Sequence, residues 1–254
     1  MNGLGPFLGK ELREIRKTWR LYVLPGVMLF IGLSTPLLAA FTPKILKMTA
    51  QRTPGVVIHF PTPTASDSYL QFMGNLAQMA LLVIIVTGAA AVAGERRAGT
   101  DVLMLTKPLS RAGFIVAKSI SGVLLVFVAT VLGTAVCIVT TIAIFDASHI
   151  ARFVESVAVW LALAAMFATL MVLLSAWTER QPAAAGAGLG VYVSLFVLTG
   201  FPALRNVTPA GLMAANDALL KGKDAALLWP LVTTAVLAVL FVVAAARVFR
   251  RKEL

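Results

Sequence analysis

Three amide side chains are the first groups in this sequence whose types and spacing could do chemistry. Gln71, Asn75 and Gln78 follow one another at intervals of four and three residues inside an apolar run. That spacing places them on one face of a helix. An amide that faces hydrocarbon is costly because its donors and acceptors go unsatisfied. The face is therefore expected to pack on a neighbouring helix or to line a wet cavity that forms a translocation path.

A charged segment between two long apolar runs is the second such group. Residues 94–118 read GERRAGTDVLMLTKPLSRAGFIVAK. Thr100 or Asp101 can cap a short helix that follows a turn at Gly99, and Pro108 cannot continue it. The short helix exposes three apolar side chains, which are Val102, Leu103 and Leu105. Such a helix suits docking into a groove of another protein, and an ordinary solvated loop is the alternative.

No motif for nucleotide hydrolysis accompanies these groups. Gly9-Lys10 and Gly222-Lys223 lack the upstream glycine spacing of a P-loop, so an ATP-driven step needs a separate subunit. No acidic residue or histidine falls in the middle of an apolar run, which argues against the buried relay of an ion-coupled carrier. His59 and His149 lie on polar segments without a cysteine nearby. We therefore expect no catalytic residue, cofactor or metal site, and no enzyme activity in this chain itself.

The composition indicates a membrane protein. Of 254 residues, 59% are hydrophobic and 13% charged, and the mean hydropathy is +0.90. Soluble domains carry about 25% charged residues. Cys137 stands alone, which excludes an intrachain disulfide. We also expect no cleavable signal peptide, because a charged helix rather than a short apolar core follows the first residues.

The apolar runs predict an all-α membrane domain of six spans. The expected spans, each about long enough for a ~30 Å hydrocarbon core, are 21–41, 69–93, 113–145, 153–177, 183–201 and 229–246. Segments 42–68 and 202–228 are expected outside, the second with a short helix Leu212–Leu220 that closes at Gly222. Residues 4–20 predict an amphipathic helix that lies in the interface, with one apolar and one basic face.

The fifth span carries a small-residue pattern. Gly186 and Gly190 form a G-x-x-x-G step in an apolar helix. Because no strand precedes them, the pattern favours close packing of helices over nucleotide binding.

The basic residues predict the orientation. With the N-terminus in the cytoplasm, seven of the 22 Lys and Arg residues fall outside, namely Lys44, Lys47, Arg52, Arg152, Arg205, Lys221 and Lys223. The other fifteen fall inside, which satisfies the positive-inside rule and places both termini in the cytoplasm. Anionic lipid is then the partner of the excess charge, and nucleic acid is not required.

The loop 94–112 resembles the first intracellular loop of ABC type-2 exporter permeases, the membrane subunits of bacterial ATP-driven exporters. The matching residues are Gly94-Glu95-Arg96, Gly99-Thr100, Leu103, Leu105, Pro108 to Arg111 and Lys118. The rest of the chain resembles the family in outline, with 4–20 as the elbow helix. The resemblance implies that the short helix is a coupling helix, with the ATPase-coupling residues Glu95, Gly99, Thr100, Asp101, Val102, Leu103, Leu105, Pro108 and Arg111.

The resemblance also implies partners and a location. Two cytosolic ABC ATPase subunits would bind ATP and Mg, and a second permease would complete a homodimer or heterodimer in the bacterial inner membrane. The second and fifth spans meet near the dimer axis in that family, which involves Gln71, Asn75, Gln78, Gly186 and Gly190. Glu95 is expected to pair with Arg13, Arg16 or Arg111.

Two other functions remain open. The same loop could hold a cytosolic partner on a membrane scaffold or sensor that transports nothing. An ATP-independent secondary carrier is the third possibility, although neither a buried charge nor an inverted repeat is evident. The aliphatic spans with few amides and hydroxyls favour an amphipathic or hydrophobic cargo.

Overall fold

The chain forms a bundle of helices. The computed structural model describes Gly9 and residues 20–50, 62–94, 111–178, 180–223 and 225–251. Within these ranges the elements are helical and no strand occurs. The helices are Arg20–Ala50, Ala65–Asn75, the π-helical turn Leu76–Ala80, Leu81–Ala89, Arg111–Ile144, Ile150–Trp177, Gln181–Leu198, Pro202–Arg205, Ala210–Leu220 and Leu228–Arg251.

Six helices among the described residues are long and apolar enough to cross a membrane. These spanning helices, numbered first to sixth below, contain Tyr22–Ile45, Ala65–Ala89, Ala112–Ile144, Ile150–Trp177, Gln181–Leu198 and Leu228–Arg250. The second consists of two α-helical parts joined by the π-helical turn. The third holds 33 residues. At about 1.5 Å per residue it is longer than a ~30 Å hydrocarbon core requires.

The first helix extends furthest beyond its predicted span. The first was expected to end at 41 but continues to Ala50, through Pro25, Pro36 and Pro43. Thr42 Oγ1 donates to the Leu38 carbonyl over 2.7 Å in the turn that contains Pro43. A hydroxyl bond of this kind accompanies many prolines that membrane helices tolerate.

The second spanning helix begins at Ala65, four residues before the predicted start at 69. Its start is a capping box, in which the Asp67 carboxylate accepts hydrogen bonds from Thr64 N (2.9 Å) and Thr64 Oγ1 (2.8 Å). The Thr-x-x-Asp spacing is a sequence signature of a helix start, and it would have moved the predicted boundary.

The fourth spanning helix forms the centre of the bundle. Within its most apolar window 72% of the residues are buried, against 17% for the fifth helix and 11% for the sixth. Phe153 at its start stacks on Tyr69 with 4.2 Å between ring centroids and meets Phe72 edge-on. These contacts fix the second helix against the fourth.

The first and third helices cross at two glycines. A Cβ at Gly133 would lie 2.6 Å from the Met28 carbonyl oxygen, and one at Gly32 would collide with the Gly133 carbonyl. Only the absence of side chains permits this approach of backbones.

Two ends of the bundle can be distinguished. The Gly94 end is where the second helix finishes and the third begins, and the His149 end holds the connection between the third and fourth helices. At the His149 end, Ser148 donates from its backbone N–H and its hydroxyl to the Asp146 carboxylate. Those hydrogen bonds lower the pKa of Asp146 below its ordinary value.

The connection between the fifth and sixth helices folds at the His149 end. The helix predicted at Leu212–Leu220 spans Ala210–Leu220. It closes at Gly222, whose φ of 67° favours glycine. The Arg152 guanidinium lies against the same residue, 2.6 Å from the position that a Cβ would take. The start of the fourth helix therefore supports this turn.

Candidate functional site

The predicted amide face of the second helix lies at the bundle surface for two of its three residues. Gln71 and Gln78 are exposed. Gln78 lies thirteen residues after Ala65 and eleven before Ala89, near the middle of the span. An exposed amide at this depth meets either hydrocarbon, which is unfavourable, or a polar or protein partner.

Asn75 belongs to the helix packing inside the chain. Its Nδ2 donates to Thr35 Oγ1 over 3.0 Å, which joins the second helix to the first. Thr35 is fully buried. Asn75 therefore follows the helix-packing interpretation, whereas Gln71 and Gln78 are exposed on the surface of the bundle, and for them the cavity interpretation stays a prediction.

A π-helical turn separates Asn75 from the lower half of the second helix. It spans Leu76–Ala80 and contains Gln78. The Leu81 N–H donates to the Leu76 carbonyl, five residues back, where an α-helix would use the residue four back. Single π turns are rare and occur often at functional sites.

The glycines of the fifth helix face two different surroundings. Gly186 and Gly190 have no atom within 4 Å of the position of a Cβ, so they do not pack on another described helix of the chain. Gly188 does, because a Cβ there would lie 2.5 Å from Met171 Sδ and 3.1 Å from Ile85 Cγ2. The small-residue pattern thus has an occupied side and an open side.

The second and fifth helices run antiparallel and side by side. A Cβ at Gly94 would lie 3.3 Å from Gln181 Nε2, which brings the end of one helix to the start of the other. Ile85 of the second helix lies beside Gly188 of the fifth. Gln78 precedes Ile85 by seven residues and Ser194 follows Gly188 by six, so both lie on the side of this contact that faces the His149 end. At about 1.5 Å per residue, both are ~10 Å from the contact along the helix axes and therefore at the same depth. Exposed Ser194, whose hydroxyl donates to the Gly190 carbonyl over 2.8 Å, thus adds a polar group level with Gln78.

At the Gly94 end, a buried serine of the fourth helix binds the end of the second. Ser175 Oγ donates to the Ala89 carbonyl over 2.8 Å. It also accepts from the N–H groups of Val92 and Ala93, each over 2.9 Å. The α-helix stops at this point, with Ala90 at φ −86° and ψ 3°.

A cluster of buried apolar residues lies beside this end of the second helix. Its members come from the turn that follows the second helix and from the third, fourth and sixth helices, and they are Ala91, Val92, Phe114, Ile115, Val172, Ala176, Ala245 and Phe249. Phe114 and Phe249 stack with 5.2 Å between centroids. Lys118 Nζ lies 5.5 Å from the Phe114 ring centroid, a cation–π contact. Both ends of the segment 95–110 therefore start from packed structure.

Most of the predicted coupling residues lie outside the described residues. They are Glu95, Gly99, Thr100, Asp101, Val102, Leu103, Leu105 and Pro108, and the same holds for the predicted helix 4–20 apart from Gly9 and Arg20. Arg111 is the first residue of the third helix. Among the described residues, no group of three or more His, Cys, Asp or Glu could hold a metal ion.

Sequence reasoning missed three residues of this site. Ser175 stands alone in an apolar run, and nothing in the sequence indicates which backbone it meets. Thr35 gave no signal as the partner of Asn75. Met171 gave no signal either, and its Cβ would lie 2.7 Å from a Cβ added at Gly88.

Comparison with known proteins agrees with a membrane protein. The sequence is 25% identical over 249 residues to the uncharacterized transmembrane protein YxlG of Bacillus subtilis (strain 168), covering 97% of this chain and 96% of that protein. Residues 37–254 match the family model DUF2705, described as a protein of unknown function. With six apolar helices and a transmembrane relative, the chain is a multi-pass membrane protein that belongs to the DUF2705 family.

Proposed function

We propose that this chain is the membrane-spanning permease subunit of an ATP-driven exporter of the ABC type-2 class. Two copies, or this chain and a sister permease, face each other and form the translocation path between them. Two cytosolic ATPase subunits bind ATP and Mg and drive the cycle. The chain lies in the inner membrane with both termini and the Gly94 end in the cytoplasm.

The exposed amide of Gln78 carries this proposal. It lies near the middle of a membrane span yet on the outside of the single bundle. Lipid offers this amide no hydrogen-bond partner, whereas a second subunit or a wet cavity between two subunits does. A transport path at the subunit seam therefore accounts for the position of Gln78 better than lipid contact does.

The fifth helix supports the same seam. Gly186, Gly190 and Ser194 are exposed on the open side of the fifth helix, and the two glycine positions have no neighbour among the described residues within 4 Å. Small residues in membrane helices permit close approach of a partner backbone. The path is then bordered by amides, a hydroxyl and aliphatic side chains, which favours an amphipathic cargo.

The Gly94 end supports an attached motor. The segment 95–110 leaves a helix end bound by Ser175 and returns into a helix anchored by the Phe114–Phe249 stack. Movement of a docking element is transmitted to the spanning helices only if both ends of that element are fixed to those helices. A scaffold that holds a partner requires the docking surface but leaves Gln78 unexplained, so the transporter is favoured.

Copurification of an ATPase tests the proposal. The chain is purified from its native host as wild type, as the double variant Leu103→Asp, Leu105→Asp, and as Leu204→Asp. Leu204 is an exposed leucine at the His149 end, so its variant controls for an added charge. We expect wild type and Leu204→Asp to bring down a P-loop ATPase in equimolar amount, and the double variant to lose it.

The purified complex is then placed in proteoliposomes. ATP hydrolysis with one ATPase per permease supports an exporter, because each of two permeases docks one motor. If wild type carries no ATPase, the permease proposal is overturned and the scaffold or carrier takes its place. Binding of the ATPase without any ATP hydrolysis in the membrane favours the scaffold.

A further inference from the structure

We infer that Ser175 is a positioning residue that sets the direction in which the chain leaves the second helix toward the segment 95–110. The inference rests on the hydrogen bonds at the Gly94 end. Its consequence for ATPase docking rests in addition on the proposed function.

The hydroxyl of Ser175 is inserted into the hydrogen-bond ladder of the second helix. In a continuous α-helix, the Ala93 N–H donates to the Ala89 carbonyl. Here the Ala93 N–H donates to Ser175 Oγ, and Ser175 Oγ donates onward to the Ala89 carbonyl, over 2.9 and 2.8 Å. A side chain inserted into the ladder is one of the recognised causes of a helix kink.

The same hydroxyl satisfies a second backbone group. Val92 N donates to Ser175 Oγ over 2.9 Å, whereas the Gly88 carbonyl is taken by Ala91 N instead. Val92, Ala93 and Ser175 are all buried, so none of these groups reaches solvent for a replacement bond. Without the hydroxyl, the bent backbone leaves two buried N–H groups without a partner, which is unfavourable because no water replaces the lost bonds.

A close crossing of two helices brings the serine to the backbone. Gly88 faces Met171, and a Cβ at Gly88 would lie 2.7 Å from Met171 Cβ. Ser175 follows Met171 by four residues, so it lies one turn further along the same face of the fourth helix. The glycine therefore permits the approach, and the serine uses it to hold the bend.

The bend has an alternative conformation of ordinary geometry. If the hydroxyl withdraws, Val92 and Ala93 can rejoin the α-helical ladder through the carbonyls of Gly88 and Ala89. The second helix then runs straight, and residues beyond Gly94 emerge in another direction. Ser175 thus stabilises one of two directions in which the chain can leave the second helix. Movement of the fourth helix relative to the second selects between these two directions.

The test compares serine variants with a control in the same helix. Ser175→Ala removes the hydroxyl, and Ser175→Thr retains it. Ser156→Ala is the matched control, because Ser156 is equally buried in the fourth helix but donates only to its own helix, at the Arg152 carbonyl. All variants are made in a Cys137→Ala background so that labels attach only at chosen cysteines.

Two measurements are made on the full chain in nanodiscs. The first is the distance between spin labels at Val86→Cys and Ala98→Cys, above and below the bend. The second is the apparent Kd for the copurified ATPase. We expect Ser175→Ala to shift the mean distance by more than the width of the wild-type distribution and to raise the Kd by roughly tenfold, or ~1.4 kcal/mol. Ser175→Thr restores both values, and Ser156→Ala changes neither.

The outcomes separate the two proposals. A wild-type distance in Ser175→Ala overturns the positioning role. A shifted distance with a Kd within twofold of wild type overturns the link to docking. If wild type binds no P-loop ATPase, the proposed function is overturned, and the distance measurement by itself decides the role of Ser175.

Discussion

Two glycine pairs in this bundle differ in what they touch. Gly32 and Gly133 bring the first and third helices together until each glycine meets the other chain segment's backbone. Gly186 and Gly190 lie four residues apart on one face of the fifth helix, and a Cβ at either position would have no atom of the described residues within 4 Å. The difference indicates that the first pair serves the fold of the single chain, whereas the second pair leaves room for the second subunit of the proposed exporter.

The largest effect is expected from enlarging the first pair. Gly133→Val places a side chain against the Met28 backbone, which cannot move aside as a flexible side chain could. We expect the variant to lose about 3 kcal/mol of the free energy of unfolding, at the upper end for overpacked sites. Denaturation of the purified protein in detergent measures this loss. Gly122→Val is the control in the same helix, since Gly122 faces open space, and an equal loss there would refute the comparison.

A smaller and different effect is expected from the second pair. Gly190→Leu fits the monomer without strain, so the free energy of unfolding should change by less than about 0.5 kcal/mol. The proposed seam is obstructed, however, and the dimer fraction in lipid vesicles should fall several-fold. Single-molecule photobleaching counts the copies, with Gly26→Leu as a control on the exposed side of the first helix. An unchanged dimer fraction in Gly190→Leu would remove the fifth helix from the seam.

The smallest effects separate the two kinds of amide. Asn75→Leu breaks the bond to Thr35 and should lower the free energy of unfolding by about 1 kcal/mol. Gln78→Leu breaks no hydrogen bond to another described residue and should leave the free energy of unfolding unchanged while weakening dimers by a similar amount. Denaturation in detergent measures the free energy of unfolding of both variants, and single-molecule photobleaching measures their dimer fractions. If Gln78→Leu destabilised the monomer instead, its amide would belong to the subunit core.

The sequence was sufficient for the helices because their signals are local. Apolar runs of span length predict a membrane helix without knowledge of the neighbours. The short helix before Gly222 was predicted from an equally local signal, an amphipathic pattern that a glycine closes. The capping box at Thr64 and Asp67 was available too. The continuation of the first helix past Pro43 was not, because it depends on how the surrounding structure satisfies the backbone.

The candidate site was only partly predictable because its contacts join distant segments. The spacing of the amides is visible in the sequence, but which of them meets another helix depends on a threonine forty residues away. Ser175 binds backbone more than eighty residues earlier, and backbone groups look alike at every position. Glycine patterns likewise predict a close contact between helices, but they do not identify which helix is contacted.

The π-helical turn at Leu76–Ala80 has a consequence for register. A turn that holds one extra residue offsets the two halves of the second helix by about 100° relative to a regular α-helix. Conversion of this turn to a regular α turn without loss of a residue would therefore act as a rotation, and it would move Tyr69 and Phe72 away from Phe153 while the half next to Ser175 kept its place. Deletion of Ala77 would instead remove the extra residue and leave both halves in their present orientation. A deletion of one residue among the relatives should therefore be tolerated best within this turn.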